Sequence, residues 1–342
     1  MKIFEILTNQ NFLGAILTVV VFIFLGYILE KKKIVSEGLD KVITFLVLNI
    51  GVPALVFKSF MSDFDIEKLK TNFIVLLLSL IAYILLIVIG NLIFIKKEKE
   101  KRNVYAIIIA LSQVSLFSLP IINAVYKTNE ALIPINILSI MFRIFLYGYS
   151  YAVFSSLSGE EVNVKSRIKK VFVNPIVIAM LIGIFVWVTQ DIMFKVNVDG
   201  EMVSILRVDK VLSPIYMVIE YASGITTPLS MMLIGISIGK YNLKDTITSK
   251  LSWLLAVLRS IGGPLVMFIL IVITKEVFKV NLNTYQMAGL LFAFAAPVSA
   301  VVNTYAIKFQ KEEFYSSSAC FLSSILSIVI FPIIYLVITI YA

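Results

Sequence analysis

The stretch FIVLLLSLIAYILLIVIGNLIFI (residues 73–95) runs without a charge into KKEKEKR (residues 96–102). The first part has the length of a helix crossing the ~30 Å hydrocarbon core of a bilayer, for which about 20 apolar residues are needed. The second part holds five basic residues at one membrane edge. The same alternation continues in both directions. Toward the N-terminus lie apolar runs at residues 12–29 and 42–57. Toward the C-terminus they lie at 103–126, 131–157, 171–190, within 211–239, and at 251–274, 281–307 and 314–341. Span two is short and carries an expected interruption at Gly51-Val52-Pro53. The expected fold is all-α and integral to the membrane, with ten transmembrane helices.

Composition agrees. The chain of 342 residues is 60% hydrophobic with a mean hydropathy of +0.98, a surplus that a soluble domain has no core to hide. The net charge of +9 does not point to nucleic acid, because the Lys and Arg residues sit between spans and form no continuous stripe. Basic clusters between spans set orientation and face an anionic leaflet. With the N-terminus outside, eighteen basic residues fall in inside loops and ten outside. The expectation is a multi-pass cell-membrane protein with both termini outside. Lys2 alone precedes the first apolar run while Lys31, Lys32 and Lys33 follow it, so that run reads as a retained span and not as a cleaved leader.

With one cysteine, Cys320, and no histidine, Cys/His zinc sites, His-based triads and haem ligation by His are excluded. No nucleophile, base and metal set is visible, so the chain does not read as an enzyme, and no cofactor or metal is expected. Cys320 reads as a small packing residue. In the longest outer loop, Val196-Asn197-Val198-Asp199-Gly200 suits a small hairpin with an Asp-Gly turn.

Ten spans with both termini on one side divide into five plus five, at residues 1–160 and 161–342. An odd number per half forces the halves into opposite orientations, the inverted-repeat plan of many carriers. Pro53 and Pro228 lie 175 residues apart in spans two and seven, and Pro120 and Pro297 lie 177 apart in spans four and nine. Proline removes a backbone donor and clashes with the preceding turn. Broken helices of this kind expose backbone groups where substrate binds, although a lone proline is more often a packing kink. Ser112, Gln113, Ser115, Ser118 and Asn123 surround Pro120, and Ser299, Asn303 and Thr304 follow Pro297. Polar groups are costly in lipid, so these residues should face a cavity.

Two cations complete the picture. Arg143 lies twelve residues into span five, ~18 Å deep and beyond snorkelling reach. Arg259 lies about 12 Å into span eight, where snorkelling and function are equally open. With no evident mid-membrane acid, the pair favours an anionic cargo; helix gluing is the alternative for both. Glu220 reads as interfacial, at the outer edge of span seven.

Several motifs resemble the auxin efflux carrier family, which includes plant PIN-formed proteins and bacterial malate and malonate permeases. They are Gly26-Tyr27-Ile28-Leu29, Leu48-Asn49-Ile50-Gly51-Val52-Pro53-Ala54-Leu55, Asn174-Pro175, Thr227-Pro228-Leu229-Ser230-Met231-Met232-Leu233-Ile234-Gly235 and Ala295-Ala296-Pro297-Val298-Ser299-Ala300. The resemblance implies a scaffold of spans one, two, six and seven, often dimeric, and a mobile transport domain of spans three to five and eight to ten. It implies that spans four and nine cross at their prolines beside a carboxylate site, mapping onto Pro120, Asn123, Pro297 and Asn303. The expected substrate-binding set is these four with Gln113, Ser299, Arg143 and Arg259. Span three lacks the acid that some relatives carry, which leaves a coupling cation open. The leading reading is an alternating-access carrier of small carboxylates, with lipid and a second copy of the chain as partners. A sodium- or proton-coupled symporter of a larger, bile-acid-like anion and a non-transporting membrane sensor are the alternatives.

Overall fold

The structure is a computed structural model that describes residues 10–34, 38–61, 63–64, 66–114, 118–126, 128–157, 173, 175–240 and 243–341. In hydrocarbon every backbone donor and acceptor must be paired within the protein. Accordingly the described membrane segments are helical almost throughout.

α1 spans Gln10–Lys31. The second span is one continuous rod of α2 (Leu39–Leu46), a π turn (Val47–Gly51) and α3 (Val52–Ser59). The expected interruption at Pro53 is therefore absent. The wider π turn directly precedes Pro53, where its ring would otherwise press on the carbonyl four residues back. A short α4 (Ile66–Thr71) leads into α5 (Phe73–Ile93), which covers the opening stretch of the sequence reading. α6 (Lys99–Ala110) and α7 (Leu119–Tyr126) are the two halves of span four. Span five is α8 (Asn129–Arg143), a π turn (Ile144–Ser150) and α9 (Tyr151–Ser156).

α10 (Pro175–Thr189) precedes the outer hairpin of β1 (Lys195–Val198) and β2 (Glu201–Ser204). The strands pair antiparallel, Val198 opposite Glu201. Asp199 and Gly200 both have positive φ, 50° and 92°, as a two-residue hairpin turn requires. The one-turn α11 (Val208–Val211) leads to α12 (Ser213–Gly224), and α13 (Thr226–Lys240) follows after one residue. Span seven thus begins well before Glu220, earlier than the sequence suggests. Glu220 lies within α12, exposed, with its carboxylate 2.6 Å from Lys58.

After α14 (Leu243–Thr248), span eight is α15 (Lys250–Val257), a π turn (Leu258–Gly262) and α16 (Gly263–Glu276). α17 (Thr284–Ala295), started by a capping box between Asn283 and Gln286, and α18 (Ala300–Phe309) are the halves of span nine. α19 (Glu313–Tyr341) closes the chain.

Among the described residues six helical rods are long and apolar enough to cross a bilayer, and α10 and α17 are shorter apolar helices. α1 packs along α13, and α3 against α10 and α12. α5 packs on α6, α8 and α16, while α17 lies between α8, α16 and α19. The polypeptide is thus a multi-pass, mostly helical membrane protein.

Candidate functional site

Spans four and nine both break part-way along their length, and the breaks cross. α6 stops at Ala110 and Leu111 turns extended; α17 stops at Ala295 and Ala296 does the same. The two extended pieces pair antiparallel, with Ser112 opposite Val298. The Gln113 amide donates to the Pro297 carbonyl at 2.7 Å, and the Ser299 amide donates to the Leu111 carbonyl at 3.1 Å. Side chains satisfy much of the remaining backbone. Ser112 and Ser118 donate to the carbonyls of Ala293 and Phe292, the Val298 amide donates to Ser323, and the Ala300 amide donates to Gln113 Oε1 at 2.9 Å. The buried Cys320 thiol donates to the Val298 carbonyl, which makes it part of this packing.

The crossing sorts its own dipoles. Broken helices leave carbonyls unpaired at their C-terminal ends and amides at their N-terminal ends, with partial negative and positive charge. Arg259 is fully buried in the π turn of span eight. Its Nη1 donates to the carbonyls of Ile109 and Ala110 at 2.7 and 2.6 Å, and its Nη2 donates to the Phe294 carbonyl. One guanidinium therefore neutralises the negative ends of both α6 and α17. It does not reach toward the membrane surface, and it does not line the cavity described next.

The positive end of α18 faces that cavity, a partly open space of about 120 Å³. Gln113, Val114, Ser299, Ala300 and Val301 of the crossing form one wall. Phe142, Leu146 and Tyr147 of span five form the second, and Leu55, Thr226, Thr227 and Ser230 of spans two and seven the third. The hydroxyls of Ser299, Thr226 and Ser230 are buried, and none has a hydrogen-bond partner. A buried hydroxyl left unpaired costs ~1–3 kcal/mol, so three around one space point to something they bind.

The eight residues expected from the sequence separate accordingly. Gln113 and Ser299 line the cavity, and Pro297 holds Gln113 through its carbonyl. Asn303 lies one turn into α18, where its Oδ1 accepts from Ser317 at 2.8 Å and its Nδ2 has no partner. Pro120 and Asn123 fall within α7, but their side chains lie outside the described residues. Arg143 is apart from the cavity wall, its guanidinium carbon 5.0 Å from the centroid of the Phe60 ring. The sequence reading missed Thr226, Ser230 and Tyr147. The available signal was the pair of hydroxyls four residues apart in the apolar run of span seven, a spacing that places them on one helix face.

The family model described as membrane transport protein matches residues 11–335, nearly the whole chain. A comparison with curated proteins finds no match.

Proposed function

Because the chain belongs to the membrane transport protein family, that of auxin-efflux-carrier-like transporters, we propose that this transporter carries small organic anions, carboxylates in particular, through the cavity at the crossing of spans four and nine. The observation that carries this reading is the division of charge at the crossing. Arg259 occupies the carbonyl ends, while the amide end of α18 and three unpartnered hydroxyls are left to the cavity. An oxyanion there would accept from Ser299 and from the first-turn amides of α18, with helix polarity in its favour. Gln113, already spent on the Ala300 amide, positions the helix end. Arg143, close to the wall but outside it, contributes positive potential and no direct bond.

In this reading spans one, two, six and seven form a scaffold, and the remaining spans move against it with the crossing. The tight pairing of α1 with α13, whose backbones meet at Gly26 and Gly235, supports the scaffold part of that division, and α13 also packs on α18 and α19. Binding of acetate, malonate and citrate to purified protein tests the reading. A small carboxylate should bind, and Ser299→Ala should weaken it about three- to tenfold, the equivalent of one hydrogen bond, with melting temperature unchanged. Parent protein that neither binds nor moves any carboxylate would overturn it.

A further inference from the structure

We propose that Thr226 and Ser230 are one-sided specificity residues: they hold a second oxygen function of the cargo in only one of the two transport states. This rests on the crossover reading above and adds to it which contacts the cargo keeps and which it leaves behind.

The cavity wall comes from two differently anchored parts. Ser299, Ala300 and Gln113 belong to the crossing, stitched by backbone and side-chain hydrogen bonds into spans eight and ten. Thr226 and Ser230 belong to α13, which is locked onto α1. A Cβ at Gly26 would overlap the Met232 carbonyl oxygen, and one at Gly235 would overlap that of Ile23. Backbones that close do not slide past one another. A cargo held by the crossing therefore travels with Ser299 and loses Thr226 and Ser230, which remain with α1.

Thr226 and Ser230 line the cavity wall opposite the crossing, are 2% and 1% exposed, and carry hydroxyls with no hydrogen-bond partner, the Thr226 Oγ1 lying on the Gly51 side. Each can donate and accept, which suits a hydroxyl, carbonyl or second carboxylate and gives nothing to a methyl group. The cargo they select is a small carboxylate with a further oxygen function at its other end.

The state described also indicates from which end such a cargo arrives. A wider cavity of about 740 Å³ opens between Asp40, Thr44, Leu48, Lys240, Ile307 and Glu313. Its Ile307 and the inner cavity's Val301 both lie on α18, ~9 Å apart at helical rise. That end of the molecule also carries Lys31, Lys32 and Lys33.

The test is malonate transport in membrane vesicles of both orientations, with KM read from each face. Ser230→Ala and Thr226→Val should each raise KM about three- to tenfold from the face bearing Lys31 to Lys33 and leave the opposite face within twofold. Ser299→Ala, on the part that travels, should raise it from both. Propionate, which lacks the second oxygen function, should be indifferent to the two α13 changes. Thr226 touches Gly51, so Ser230→Ala carries the test if the Thr226 variant folds poorly. Equal KM changes on both faces for Ser230→Ala overturn the proposal. So does no change on either face in vesicles where Ser299→Ala acts, because water alone then satisfies the hydroxyls. A Ser299→Ala protein with parental KM on both faces overturns the crossover reading itself, and this proposal with it.

Discussion

Arg259 and Ser299 are both buried at the crossing and would look alike in a scan for intramembrane polar residues, but the proposed function gives them opposite work. Arg259 holds three carbonyls from two helix ends, and no carboxylate partners it among the described residues. Arg259→Lys keeps the charge but not the planar fork that spans both helices. It should lower the melting temperature and folded yield, by at least about 2 kcal/mol for carbonyls left unpaired, while the folded fraction keeps its carboxylate affinity. Ser299→Ala should show the reverse pattern. Thermal unfolding and binding measured on the same samples separate the two; a Lys variant of parental stability would contradict the capping role. From sequence, Arg259 could be placed only by depth, and depth does not distinguish a cap from a ligand. What decides is the arrival of Ile109, 150 residues away, within hydrogen-bonding distance.

Individual elements were far more legible. An uncharged run followed by lysines fixes a helix and its end, and residues 73–95 became α5 within two residues. The break in span nine falls at Pro297 as expected, but that of span four corrects the expectation: the crossing lies at residues 111–113, and Pro120 stands in the first turn of α7, where no intrahelical amide bond is needed. Pro53 misled, because a π turn absorbs the ring's demand without breaking the rod, and π turns have no simple sequence period. Pro228 proved harmless in the first turn of α13, where no amide partner is needed. Among the described elements α1 and α13 meet backbone to backbone, made possible by glycine on both sides. Gly235→Ala should force these backbones apart and destabilise the protein by about 1–3 kcal/mol. Gly224→Ala, with open space around it, should leave unfolding unchanged. Equal melting temperatures for the two variants would mean that the contact yields without strain.

At the scale of the whole molecule, ion pairs collect the loops at two ends. Lys240 lies 2.8 Å from Asp40 and 3.5 Å from Glu313, and Lys311 lies 2.8 Å from Glu100, joining the loops that follow spans one, three, seven and nine. The other end gathers Lys58 with Glu220, and the buried Arg207 with Asp63, Asp209 and Gln190. The hydrogen bonds that Arg207 donates to the Asp209 carboxylate hold its guanidinium above its ordinary range. Alternation of the loops was thus readable from lysine clusters alone, although several of those lysines lie outside the described residues. Which end faces the cytoplasm rests on the charge bias. A single cysteine at Lys195 should react with an impermeant maleimide in intact cells, and one at Lys99 should not. Cys320 is buried and adds little background. The opposite pattern would invert the orientation. The pairing of one crossing strand with the other was beyond sequence reading, because nothing local in residues 111–114 names 297–299 as its complement.

That pairing has a consequence for biogenesis. The Ser112 hydroxyl binds a carbonyl 181 residues further along the chain, and the extended backbone beside it depends on residues of similarly late synthesis. At ~5–20 residues per second, the ribosome needs roughly 10–40 s to deliver that complement after span four has emerged. A span four already broken in that interval would hold unpaired amides and carbonyls, for which lipid offers no partner. A nascent chain stalled after its fifth span is therefore not a half-finished carrier waiting quietly in the bilayer. Its crossing can form only once spans four and nine are both in place.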